Sequence, residues 1–272
     1  MASSPDLTAA LRWEWLRLLG WRLAFGIGVL VAWEIAAARW VDPFWFSSPL
    51  RIMTHLVQWA REGTLFGHLI VTLRETFLGF LLGSVAGIAA GVMLSRLEFL
   101  ARVLDPFIVA ANGIPRVALA WLFIIWFGIG ELSEIILAST LTFFLTFYGT
   151  FSGLRAVEPA YLEIARVMGA SERQIFFKVN LPAASPWIVA ALKVGVPFSL
   201  IGAIIGEFMA ASRGLGYMIQ LNTNQFDTTG AVSGIIVLMV AVMLFNGILN
   251  RLERYVLRWR PRERAAAARE LQ

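Results

Sequence analysis

A chain of 272 residues could make one or two globular domains, but 58% of its residues are apolar or aromatic and only 15% are charged, against about 25% in a typical soluble domain. It cannot solvate its own surface, which excludes a soluble enzyme and a disordered tail protein, and with no cysteine it is neither a disulfide-stapled secreted domain nor a thiolate metal site. The formal charge of +5 raises the question of nucleic acid, which the placement of the charges answers.

The first stretch, 7–18, puts Leu7, Leu11, Trp15 and Leu18 on one helical face with Arg12 opposite, so residues 1–20 are expected to form a cytoplasmic helix lying flat at the interface. Span one follows at 21–40, with tryptophans at both ends and Glu34 within it. Ala36-Ala37-Ala38 invites a cleavable signal peptide, but a segment of about 38 residues with a glutamate in its apolar part favours a retained helix. The outer segment 42–68 holds an amphipathic stretch after Ser47-Ser48-Pro49, with Leu50, Met53, Leu56 and Val57 sharing a face along the outer surface.

Span two (69–94) contains an uncharged run at 77–94, with Arg74 and Glu75 expected at the outer interface. Its glycines at 79, 83, 87 and 91 form a small-residue face, suited either to the subunit's own bundle or to a dimer seam. Span three (104–128) is interrupted by Arg116, and the cluster Asn112, Gly113, Pro115 predicts a break near its middle. Span four covers 134–154, span five 190–211 with Glu207 inside it, and span six 229–250. Each is long enough for about 30 Å of hydrocarbon at about 1.5 Å per residue.

With six spans, lysine and arginine number 17 on one side and 5 on the other. The positive-inside rule then puts both termini in the cytoplasm. The basic tail 251–272 lies beside an anionic leaflet, so the surplus charge is topological and calls for membrane lipids and no nucleic acid.

The inner segment 155–184 is too long for a turn. Glu158-Pro159 starts a helix whose stripe is Tyr161, Ile164, Ala165 and Met168; Gly169 permits a turn; Ser171 and Gln174 have the spacing of a capping box. Two short helices hinged at a glycine make a compact knob tethered to spans at both ends.

Within this knob, Glu163-Ile164-Ala165, three residues, Gly169, nine residues and Val179-Asn180-Leu181-Pro182 resemble the signature loop of transmembrane subunits of bacterial ATP-binding cassette importers. Ile164 and Val179 depart conservatively from that pattern, in which alanine and isoleucine stand. The run Trp126-Phe127-Gly128-Ile129-Gly130, the stretch 148–155 and Gly214-Leu215-Gly216-Tyr217 are similar to the branch carrying aliphatic sulfonates, taurine and nitrate, and the resemblance covers roughly 43–259. It implies an all-α integral membrane protein with the type I importer permease fold. It also implies a bacterial inner-membrane location, a homodimer, two ATPase subunits that bind ATP and magnesium, and a periplasmic or lipid-anchored substrate-binding protein. Glu163, Ala165, Gly169, Leu181 and Pro182 are then the ATPase-coupling residues.

The chain has no phosphate-binding loop of its own, so nucleotide chemistry falls to another chain. His55 and His68 are expected to be solvated or interfacial and not metal ligands. In related permeases spans three and five face the translocation path, so Asn112, Pro115, Arg116 and Glu207 are candidate pathway residues. Arg116 could hold a sulfonate, nitrate or carboxylate with two hydrogen bonds; the competing reading makes Arg116 and Glu207 a structural ion pair. Glu34 is expected to make a structural contact. The alternative class, a transporter driven by an ion gradient, would need a half-to-half repeat or a second acid near Glu207, and the sequence displays neither. A membrane scaffold would not need the broken span at Pro115.

Overall fold

A computed structural model of the chain describes residues 5–40 and 42–256; the greater part of the basic tail lies outside the described residues. Among the described residues the ordered elements are all helices. Five long apolar helical stretches have the length and composition to cross a bilayer, and a bent pair makes a sixth.

The centre is a three-helix core. Helix α4 (Thr64–Arg96) runs against α7 (Glu131–Arg155), and α10 (Leu181–Ala210) packs on both. The glycine face of α4 explains this contact. A Cβ at Gly83 would meet Thr142 Cβ at 2.9 Å, and one at Gly91 would meet Thr150 Cβ at 2.8 Å. Gly79 and Gly87 face Ala138 and Thr146 in the same way. The glycines therefore serve the subunit's own bundle. The facing residues Ala138, Thr142, Thr146 and Thr150 also recur every four positions, and all are fully buried. Gly202 of α10 approaches Ala138 from the other side, so all three backbones converge there. Ser199 Oγ donates to the Thr76 carbonyl oxygen at 2.8 Å, adding a polar tie between α10 and α4.

Span one belongs to a single helix, α1 (Pro5–Arg39), which continues through the segment expected to lie flat. No residue pattern near position 20 stops it, since Gly20 alone costs a helix only about 1 kcal/mol. Its contacts gather at its C-terminal end, where Ala37 is buried and Glu34 Oε2 accepts from the Leu50 amide at 3.0 Å. Glu34 thus makes a structural contact, satisfying a free N–H at the start of α3 (Pro49–Glu62). The short α2 (Pro43–Phe46) joins them.

Helix α3 packs on the bundle through a face other than that of Leu50, Met53 and Val57. Ile52 and Trp59 are buried, with Leu56 packed beside Trp59, while Leu50, Met53 and Val57 are exposed. The helix carries two apolar stripes, and its neighbours α11 (Leu215–Asn224) and α12 (Thr228–Val256) select the one bearing Trp59.

Span three is broken as predicted. Helices α5 (Glu98–Asn112) and α6 (Arg116–Phe127) meet at 92° across Gly113-Ile114-Pro115. Pro115 disfavours helical geometry for Ile114 and cannot donate to the ladder, so the helix must end and restart.

The glycine face yields a direct test. At Gly87 the nearest neighbours include the Phe143 carbonyl oxygen and the Phe147 nitrogen, which are backbone and have no rotamer to give. Gly87→Val is expected to lower stability by about 1–3 kcal/mol, read as a fall in thermal midpoint in detergent, whereas Gly26→Val, where a Cβ meets nothing within 4 Å, leaves it unchanged.

Candidate functional site

The coupling loop folds as its residues dictate. Pro159 occupies the first turn of α8 (Pro159–Val167), where a missing N–H costs nothing. Gly169, at φ 81°, then closes the helix. The Ala170 amide donates to the Ala165 carbonyl at 3.0 Å and the Gly169 amide to the Arg166 carbonyl at 2.9 Å, the paired bonds of a Schellman cap. Ser171 and Gln174 form the expected capping box at the start of α9 (Glu172–Ile175). An Arg166–Glu172 ion pair at 3.0 Å spans the hinge.

No side chain of α8 is buried. Tyr161, Ile164, Val167 and Met168 are exposed, the last two at 89% and 81%, so the knob presents an apolar face with nothing over it. Glu163 is also exposed, and Ala165 is half-buried. The second half of the knob is not a separate helix. From Glu172 the chain runs through a π-helical turn, Phe176–Asn180, directly into α10, giving one 39-residue rod that ends at Ala210. Leu181 and Pro182, the end of the motif, are the first two residues of α10.

The pathway candidates separate. Arg116 stays with its own neighbourhood: its Nη2 donates to Asn112 Oδ1 at 2.7 Å and to the Asn112 carbonyl at 3.0 Å, and its guanidinium lies 5.0 Å from the ring centre of Phe144, halfway along α7. Its Nη1 is enclosed and makes no hydrogen bond. The α5–α6 break thus holds a cation at mid-span with a donor to spare.

Glu207 does not pair with Arg116. It is fully buried, accepts from Thr72 Oγ1 at 2.5 Å and receives the Gly216 amide on its other oxygen. Thr72 Oγ1 in turn accepts from the Leu215 amide at 2.8 Å, and His68 Nδ1 accepts from the Gly214 amide at 3.0 Å. Three successive N–H groups at the start of α11 are therefore capped by side chains from α4 and α10, and the carboxylate sits where the helix dipole favours negative charge. Gly214, at φ 110°, and Gly216 are required here, because a Cβ on either would collide with the Glu207 carboxylate. This accounts for the Gly-Leu-Gly-Tyr run. It also corrects the expectation for His68, which is a half-buried latch stacked on Tyr217 and not a solvated group.

Two further corrections concern acids. Glu75 is not at an interface but completely buried, as is nearly all of Glu134, at 0% and 3% exposure. The Glu75 carboxyl lies close to those of both Glu134 and Glu207, so Glu207 does have acidic neighbours. Neither Glu75 oxygen meets an N–H or O–H donor. His68, Thr72 and Glu75 fall at i, i+4 and i+7, continuing the glycine face of α4, and that spacing was the available signal; the adjacent Arg74, paired outward with Glu131, masked it. Among the described residues no group of His, Asp and Glu has the arrangement of a metal site. The His55 ring lies tilted against Trp59, with centroids 4.3 Å apart, and its Nε2 is 3.9 Å from Asp227.

A bundle of long apolar helices with one broken helix pair and a hinged, uncovered apolar knob has the form of a membrane transport subunit. Residues 79–259 match the family described as the binding-protein-dependent transport system inner membrane component. The chain belongs to this family, and it is a permease subunit of the ATP-binding cassette importer class, a transport component and not itself an enzyme. It is 33% identical to the formylaminopyrimidine transport permease protein ThiX of Halalkalibacterium halodurans, over 88% of this chain and 95% of that one. It is equally 33% identical to the putative aliphatic sulfonates transport permease protein SsuC of Bacillus subtilis, over 88% and 83%. The taurine transport system permease protein TauC of Escherichia coli is 29% identical over 92% and 94%. Among solved structures, the inward-facing MetNI methionine ABC transporter shares the fold, with a TM-score of 0.63 at 24% identity over 71% of this chain and 95% of that one.

The buried acids give opposite expectations for two substitutions. Glu75→Gln supplies N–H donors to two acidic neighbours and is expected to keep or raise the thermal midpoint. Glu207→Ala leaves the Gly216 amide without an acceptor and removes the Thr72 hydroxyl's bond to the carboxyl, and is expected to cost about 1–3 kcal/mol, measured as thermal unfolding in detergent.

Proposed function

We propose that two copies of this chain form the inner-membrane pathway for a small anionic solute, delivered by a periplasmic or lipid-anchored binding protein and driven by two ATPase subunits that grip the knobs. Both termini face the cytoplasm, beside the leaflet that attracts the basic tail. The observation that carries this reading is the uncovered apolar face of α8 on a knob continuous with α10: a push there has a continuous helical rod to act on. Glu163, Ala165, Gly169, Leu181 and Pro182 are the coupling residues. Gly169 sets the angle between α8 and α9, and Leu181-Pro182 start the rod.

Arg116 is the residue that favours an anion. Asn112 orients its guanidinium through two bonds, Pro115 ends the preceding turn, and the enclosed, unpaired Nη1 is the donor that a sulfonate or carboxylate takes once the α5–α6 break opens to it. Glu207 is assigned a structural part in this scheme, as the cap of α11. Alternating access follows when nucleotide-driven closure of the partners moves the knobs and rocks α4, α7 and α10 together.

The docking reading is tested by pull-down of the partner ATPase. Gly169→Pro cannot adopt φ 81°, and association is expected to fall at least tenfold while the detergent-solubilised chain keeps its elution volume; undiminished association removes the model of the grip. The anion reading is tested in proteoliposomes with taurine and an aliphatic sulfonate as probes. Arg116→Gln is expected to reduce uptake about tenfold or more, with ATPase association intact. Uptake equal to wild type, or no uptake of either anion by wild type, sinks the role given to Arg116.

A further inference from the structure

Between the knob and α10 lies a joint whose geometry follows from one residue. Pro182 has no N–H, and its ring would crowd the carbonyl of Lys178 four residues earlier. The helix answers by widening: over Phe176–Asn180 it is π-helical, and the Leu181 amide reaches back five residues to the Phe176 carbonyl. Such turns are rare and locally weaken a helix. The Asn180 Oδ1 atom is enclosed here without a hydrogen-bond partner. A rod meant to carry a push would bend at this place unless something braced it.

The structure supplies a brace from another helix. Arg96, the last residue of α4, holds its guanidinium carbon 3.8 Å from the centre of the Phe176 ring, well inside the range of a cation–π contact. Phe176 opens the π-helical turn, and the preceding Ile175 is buried at 4% exposure. Since α4 is packed backbone to backbone against α7, Arg96 ties the weak joint to the closely packed core of the bundle.

We propose that Arg96 is a positioning residue for coupling: by clamping the Phe176 ring it makes the knob and the α4–α7–α10 core move as one body. This rests on the knob being the ATPase grip, but it concerns a different step, transmission after docking. Without the clamp the ATPase still binds, and the knob swings about the π-helical turn while the core lags behind.

The chain has no native cysteine, so spin labels can be placed at Met93→Cys on α4 and Arg173→Cys on the knob in the complex with the partner ATPase, in phosphatidylethanolamine–phosphatidylglycerol nanodiscs. The label-to-label distance is measured by pulsed electron paramagnetic resonance, nucleotide-free and trapped with magnesium, ATP and vanadate. In the otherwise native chain the two distributions are expected to coincide. With Arg96→Ala, trapping is expected to shift or broaden the distribution, lowering the native-distance population about two- to fivefold, while ATPase pull-down is retained. Phe176→Leu, which keeps apolar bulk and removes the aromatic face, is expected to act alike and covers the case in which Arg96→Ala does not fold. Arg96→Lys and Phe176→Trp are expected to restore the native distribution. Coincident distributions in both Arg96→Ala and Phe176→Leu, or an equal shift in the native chain, overturn the clamp and leave docking untouched. Failure of the native chain to bind the ATPase overturns the docking reading itself.

Discussion

Lipid chains are as apolar as leucine, so helices in a bilayer gain little from hiding apolar side chains against one another. What holds this bundle is the distance to which its backbones approach. Gly79, Gly83, Gly87 and Gly91 on α4 receive Ala138, Thr142, Thr146 and Thr150 of α7, and Gly202 on α10 closes on Ala138 from the far side. Dispersion is strong only at contact, and these positions permit backbone contact from Gly79 to Gly91. In the proposed cycle this core moves as one body.

The polar groups inside it are placed with the same economy. On one face of α4 the series His68, Thr72, Glu75 gives way to glycine, so the helix changes from a latch to a packing surface. The latch captures the start of α11 through three amides, and Glu207 supplies the charge that a helix N-terminus favours. This construction closes the end of the bundle remote from the knob. At the other end nothing comparable covers α8, which leaves its apolar face for a partner, and the continuity of α9, the π-helical turn and α10 joins that face to the core.

Arg116 stands apart from both ends. A broken helix frees backbone groups and makes room at mid-span, and a guanidinium there must be satisfied locally. Asn112 and the Phe144 ring do this in part, leaving one nitrogen unoccupied. The competing ion pair with Glu207 would have cancelled this charge, and the capping of α11 removes Glu207 from contention.

The sequence by itself determined the class of protein, the long apolar helices, the break at Pro115 and the turn at Gly169, because each depends on local properties: runs without charge, a missing N–H, a φ that only glycine adopts freely. The capping box was equally legible, since Ser171 and Gln174 are three residues apart. It did not determine that α1 is one unbroken helix, which apolar stripe of α3 is covered, or that Glu75, Glu134 and Glu207 share one buried place. Those were decided by tertiary structure, because residues 75, 134 and 207 meet only when three helices cross at a particular rotation, and a charge beside a span end reads the same whether its helix turns it toward solvent or into the core.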